Sequence, residues 1–248
     1  MDKNKVLLIG VGNFVDGNLL EEPAAPLGII YLGSYLFSHG YRVSLLDVNT
    51  ENRDAFFVYL KNELQDAALV GLSVMTPLTN EGLQITKFVK KFDSSLPVVW
   101  GGFHATLFPE STLRNENIDF VITGEGEQGL SGLAEYLFQK KEITDIPNLM
   151  FKSSGMIMKN RVKPGEDLRS IGIPSYDLMD FRPYIGHTLF SKRTSFNILS
   201  SRGCPARCAF CVNSIILNNS WRAEPIEQTL RNIDTVIDRF NPEHICFS

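Results

Sequence analysis

The sequence predicts a doubly wound α/β domain over residues 1–145, and two observations carry that prediction. Short apolar runs alternate with amphipathic stretches from residue 6 to about residue 140, the pattern that successive βαβ units produce. Glycine and small polar residues then gather where the apolar runs end. Near-continuous apolar strands are buried on both faces, so helices must cover both sides of a parallel sheet.

Strands are predicted at Val6–Val11, Arg42–Asp47, Ala68–Ser73, Pro97–Gly101 and Asp119–Thr123, with helices near 28–39, 54–66, 80–92, 109–115 and 127–140. This is a flavodoxin-like or Rossmann-like parallel sheet. His39, before Gly40, reads as a residue capping the end of the first helix. Over residues 146–190 the periodicity breaks down around Pro147, Pro164, Pro174 and Pro183, which suggests a linker. Met150-Phe151-Lys152 and Met156-Ile157-Met158, on either side of Ser153-Ser154-Gly155, predict a hairpin within it. Residues 191–248 read as a strand at Ser195–Ser200, a cysteine loop, a helix at Pro225–Phe240 and a strand from His244 to Ser248. One βαβ unit buries too little apolar surface to be a domain, so a fragment of something larger is expected.

Bulk properties narrow the function classes. Of 248 residues, 44% are hydrophobic and 21% charged, with a net charge of −4, an ordinary balance for a globular protein. Lysines and arginines form only short pairs such as Lys90-Lys91 and Lys140-Lys141, leaving no basic stripe for nucleic acid. No apolar run reaches the ~18 residues that a membrane span needs, and the N-terminus lacks a signal-peptide pattern, so a cytoplasmic protein is expected. Three of the four cysteines lie within Cys204–Cys211, unlike a secreted disulfide framework, and clustered thiols in a reducing compartment point to a metal. Cys246 reads as a small apolar residue of a buried strand.

Parallel sheets of this type bind ligands beyond the carboxyl ends of their strands. Gly10, Gly12, Ser73, Gly101, Gly102 and the run Gly124-Glu125-Gly126-Glu127 all fall there. Tight turns explain any one of these glycines; together they favour a ligand edge. His104 either contacts a ligand phosphate or is a hydrogen-bonded loop residue.

The run Cys204-Pro205-Ala206-Arg207-Cys208-Ala209-Phe210-Cys211 has the spacing C-x3-C-x2-C. Three thiolates leave one iron of a [4Fe–4S] cluster open to a further ligand. Zinc, with His187 or His244 as fourth ligand, is the competing reading, although neither histidine stands at short zinc-module spacing. Three unligated core thiols are the plainest one.

This motif, with Phe210 before its last cysteine and Ser201-Arg202-Gly203 before its first, resembles the radical S-adenosylmethionine (SAM) superfamily. The run-up is similar to that of the branch with an N-terminal cobalamin (B12)-binding domain. Pro26-Leu27-Gly28, Ser73-Val74-Met75, Gly101 to Thr106 and Gly124 to Glu127, in that order, resemble that domain too. The resemblance implies a cluster on Cys204, Cys208 and Cys211, with SAM chelated at the open iron and cleaved reductively to a 5′-deoxyadenosyl radical. Residues 191–248 would then begin a (β/α) partial barrel. It also implies a corrin nucleotide tail at an edge lined by Ser73, Gly101 and Gly102, bordered by Gly124, Glu125 and Gly126, with His104 nearby. A small-molecule substrate and an electron donor such as flavodoxin or ferredoxin follow. Many cobalamin proteins carry Asp-x-His-x-x-Gly after the first strand, whereas this loop runs Gly12-Asn13-Phe14-Val15-Asp16-Gly17, so no motif histidine would ligate cobalt.

The first functional expectation is therefore a cobalamin-dependent radical SAM enzyme that methylates an unactivated carbon. The second is a catalytically incomplete cobalamin-binding module with a cluster or zinc-binding tail. A receiver-like signalling domain is the weakest, because the first strand ends in Gly10-Val11-Gly12 and lacks paired acidic residues.

Overall fold

In the first strand, β1 (Lys5–Gly10), every residue is buried, as a central strand covered on both faces requires. The computed structural model describes residues 4–13, 25–50, 52–139, 142–165, 167–187, 194–216 and 220–248. Residues 14–17 of the loop that lacks a motif histidine lie outside them.

Four more strands, β2 (Arg42–Asp47), β3 (Ala67–Ser73), β4 (Val98–Gly101) and β5 (Phe120–Ile122), pair in parallel in the order β2-β1-β3-β4-β5. The helices are α1 (Leu27–Ser38), α2 (Arg53–Glu63), α3 (Thr79–Phe92), α4 (Gly102–Leu107), α5 (Pro109–Leu113) and α6 (Glu127–Gln139). Alternation along β1 divides them between two faces. Val6 and Leu8 pack with Ile29, Ile30 and Leu36 of α1 and Leu130 and Leu133 of α6. Leu7 and Ile9 pack with Phe56 and Leu60 of α2 and Ile85 and Val89 of α3. The doubly wound sheet is thus present, and its strand order reverses between β1 and β3. His39 caps α1, its ring Nδ1 lying 2.7 Å from the Tyr35 carbonyl oxygen.

Two local features differ from the sequence reading. The helix expected at 109–115 is α5, and an unexpected short helix, α4, precedes it; the two stay separate because Pro109 lacks an N–H and pulls Phe108 out of helical backbone (φ −128°, ψ 52°). The hairpin of β6 (Leu149–Ser153) and β7 (Met156–Lys159) joins the sheet antiparallel to β5, so the sheet continues past residue 145. Ser154 and Gly155 both have positive φ, the geometry of a tight hairpin turn.

A short helix, α7 (Leu168–Ile171), follows, then β8 (Gly186–His187) and β9 (Thr194–Ile198). The strand expected at Ser195–Ser200 ends at Ile198, and the chain starts a separate strand, β10 (Ser201–Gly203). Beyond the cysteine run come α8 (Asn213–Ile216), β11 (Trp221–Ala223), α9 (Ile226–Phe240) and β12 (His244–Phe247). β12 and β8 flank β9 in a three-stranded sheet, and β10 pairs antiparallel with β11. β12 is an edge strand, so Cys246 is only partly buried, in contrast to the fully buried position expected.

An aromatic cluster fastens this second unit to the first. Phe196 of β9 stacks on Phe240 of α9 at 4.9 Å, and Tyr176 and Phe181 from the preceding segment meet both rings at 5.1–5.8 Å from one another and from those rings. These residues share one apolar core with α1 and α6. A buried hydrogen bond from the Tyr184 hydroxyl to Asp47 Oδ2 (2.7 Å) adds a second tie, to the end of β2.

Candidate cofactor site

Where the strand order reverses, the carboxyl ends of β1, β3, β4 and β5 open onto a cavity of about 600 Å³. Its walls are mostly apolar, from Leu8, Leu27, Leu72, Val99 and Ile122. Gly10, Ser73 and Gly101 stand in register across β1, β3 and β4. Gly102, just beyond, has φ +85°, and a Cβ there would lie 2.8 Å from Val74 N and 2.9 Å from Val74 O. Only glycine fits this backbone. Thr106 Oγ1 donates to Gly102 O (2.8 Å) and accepts from Gly124 N (2.9 Å), so α4 and the β5–α6 turn are held as one rim. Gly124 also has positive φ, +71°.

Ser73, Gly101, Gly102, Gly124, Glu125 and Gly126 all line this cavity. His104 does not. Its backbone N–H donates to Val74 O (3.0 Å), and its ring lies 3.3 Å from Thr76 Oγ1 and packs by Trp100 and Phe108. Burial holds its pKa below the ordinary value, so it is neutral at neutral pH.

The far wall comes from the second unit: Leu199, Ser201, Arg202, Gly203, Asn213 and Ile216. These residues flank the cysteine run on both sides, so the loop hangs at the mouth of the sheet's ligand edge. Cys204 and Cys211 are half-buried and Cys208 is exposed, with Cys211 N donating to Cys208 O (3.0 Å). Phe210 is 92% exposed. Among the described residues no three Cys, His, Asp or Glu side chains converge as a metal-holding group, and His244 is exposed. The donor set is what fits an iron–sulfur cluster: three soft thiols on one exposed loop, with no histidine brought to them among the described side chains. For a corrin nucleotide, the fit lies in the side-chain-free cradle at Gly102 and Gly124.

Arginines went unnoticed in the sequence as site residues. Arg202 pairs with Glu127 (2.7 Å) and Glu125 (3.3 Å), and Arg222 with Glu125. Arg202 also lies 5.5 Å over the buried Tyr31 ring. Arg202 stood inside the run Ser201-Arg202-Gly203-Cys204, the one signal that pointed to it; Arg222 had none.

Comparison with known proteins agrees with this geometry. Residues 17–134 match the B12 binding domain family. An uncharacterized methyltransferase from Pyrococcus horikoshii is 28% identical over 90% of this chain and 48% of its own length. The fold matches the radical SAM methyltransferase TsrM from Kitasatospora setae with a TM-score of 0.73 at 21% identity, covering 99% of this chain and 48% of that one. It also matches the cobalamin-dependent radical SAM enzyme OxsB, with a TM-score of 0.80 at 22% identity, over 98% of this chain and 33% of that one. The chain thus spans about half or less of the length of these relatives. Domain match and fold agree: residues 17–134 are similar to a B12 binding domain, and the chain as a whole has the fold of the corresponding part of these two radical SAM enzymes.

Proposed function

We propose that this chain is the cofactor-binding portion of a cobalamin-dependent radical SAM enzyme that methylates an unactivated carbon of a small molecule. One observation carries the reading: the flanks of the cysteine loop and the glycine-rich edge of the parallel sheet line the same cavity. In that reading Cys204, Cys208 and Cys211 hold a [4Fe–4S] cluster, with Phe210 beside it and SAM at the open iron. Ser73, Gly101, Gly102, Gly124 and Gly126 admit the cobalamin tail by presenting backbone and a small hydroxyl. When bound, the cluster supplies the electron for reductive cleavage of SAM and cobalamin supplies the methyl group. The apolar walls from Leu27, Leu72 and Ile122 exclude water, which protects reactive carbon chemistry from side reactions.

The three thiols require a reducing compartment, hence the cytoplasm, and reduction of the cluster requires a donor such as flavodoxin or ferredoxin. Among the described residues no helix is long and apolar enough to cross a membrane. The relatives named as methyltransferases, among them a hopanoid C-3 methylase from Methylococcus capsulatus (25% identical over 84% of this chain and 39% of its own length), support methyl transfer.

The test is an absorbance titration of the chain with hydroxocobalamin, beside Gly102→Val. Saturable binding at one cobalamin per chain, abolished in the variant, is the expected result. A chain that shows no saturable binding, or a variant that binds as well as the parent, overturns the reading.

A further inference from the structure

The two strands that bracket the cysteine loop carry their arginines face to face, Arg202 of β10 against Arg222 of β11. Like charges directly opposite each other repel, so this pair needs compensation. It comes from the β5–α6 turn. Glu125 reaches both guanidinium groups and Glu127 reaches that of Arg202. The side chains are 4% exposed for Glu127, 14% for Arg202, 15% for Glu125 and 28% for Arg222, so two positive and two negative groups balance in a site mostly shielded from water. Gly165 packs against the Glu125 carboxylate so closely that a side chain there would overlap it.

The strand pair itself is weak. Among the described residues it consists of β10 and β11 alone, and a two-stranded ribbon is marginal in water. Gly203 immediately precedes Cys204, has φ +96°, and packs so close to the residue before β11 that a Cβ would overlap the Ser220 carbonyl oxygen. The entry and exit of the cysteine loop are therefore clipped together at this point, and the ion cluster fixes the clip to the sheet.

We propose that Glu125 and Glu127 are positioning residues that clamp Arg202 and Arg222 and so set the cysteine loop against the cobalamin edge, although the glutamates sit in the run expected to border the cofactor. The purpose of the clamp rests on the function proposed above. Its existence is a property of the chain without cofactors, and can be measured there.

Hydrogen–deuterium exchange on the cofactor-free chain tests it. Glu127→Gln and Arg202→Met are each expected to speed exchange of the amides of 201–203 and 221–223 by about tenfold or more, because a buried charge loses its partner. Amides of β1 and β3 keep the parent rates, and the double variant opens the clip no further than the worse single one. Arg202→Lys, which keeps the charge but loses the planar fork, gives a smaller increase and serves if Arg202→Met does not fold. Hydroxocobalamin titration of Glu127→Gln, read beside the exchange data, separates a clamp from a cofactor contact. Unchanged exchange in β10 and β11 overturns the proposal, as does a rise spread equally over β1 and β3. So does a loss of cobalamin affinity with exchange unmoved, which would make Glu127 a cofactor contact. A parent chain that binds no cobalamin defeats the proposed function, while the exchange result still decides the clamp.

Discussion

Gly101 and Gly102 are adjacent, yet the structure gives them different reasons to be glycine, and alanine at each separates them. At Gly102 the backbone sits at φ +85°, where a side chain costs ~1–2 kcal/mol. The added Cβ would also press on both backbone atoms of Val74 at 2.8–2.9 Å. Relief needs a backbone shift in a packed strand end, at ~1–3 kcal/mol. Gly102→Ala should therefore lose ~2–5 kcal/mol, or roughly 5–15 °C in Tm for a chain of this size. Gly101 has φ −134°, and its Cβ would meet only Ile122 O at 3.8 Å. Gly101→Ala should shift Tm by less than ~4 °C, partly offset by the lower entropy of the unfolded chain. Thermal unfolding followed by circular dichroism distinguishes the two. Equal transitions, or a larger loss at Gly101, would refute the assignment of Gly102 as the obligatory glycine of the cradle.

Asp47 is held above the ordinary carboxylate pKa by burial, against the opposing hydrogen bonds from Tyr184 and Asn49. Its folded form binds the proton more tightly than the unfolded chain, so the stability it contributes is present at low pH and lost as pH rises through the folded value. Asp47→Asn should gain relative to the parent between about pH 4 and pH 7 in urea midpoints, and a difference independent of pH would count against this. Tyr176→Phe keeps the aromatic packing but strands buried Asn232 Oδ1, which accepts from the Tyr176 hydroxyl at 2.7 Å. The expected loss is ~1–3 kcal/mol by urea unfolding, and an unchanged midpoint would contradict it. Because the Gly12–Gly17 loop contains no histidine, ¹⁵N labelling of the protein should leave the EPR spectrum of bound cob(II)alamin unaltered, whereas a changed nitrogen splitting would reveal a protein ligand.

The parallel sheet was legible because its strands are buried on both faces, which writes an uninterrupted apolar run such as Val6–Ile9 into the sequence. The glycines of the ligand edge were legible for a related reason, since only a demanding backbone keeps Gly102 and Gly124. Pairwise geometry was not legible. Nothing in the spacing of Arg202, Arg222 and Glu125 announces that three distant residues meet, because ion pairs depend on tertiary placement and leave no periodicity. For the same reason His104 was placed with the ligand edge on its neighbours' account, while its ring packs by Trp100 and Phe108. The β10–β11 pair was hidden by its length, for three-residue strands carry too little alternation to register.

The most direct test of the central claim, an open-iron cluster on the loop at the cobalamin edge, is anaerobic reconstitution of the chain with iron and sulfide, followed by iron counting and EPR with and without SAM. The parallel sample has Cys204, Cys208 and Cys211 all changed to alanine. About four irons per chain, absent from the variant, with an EPR signal that SAM perturbs, is the predicted result. Stoichiometric zinc without iron–sulfur assembly, or a cluster that SAM leaves unmoved, would contradict it.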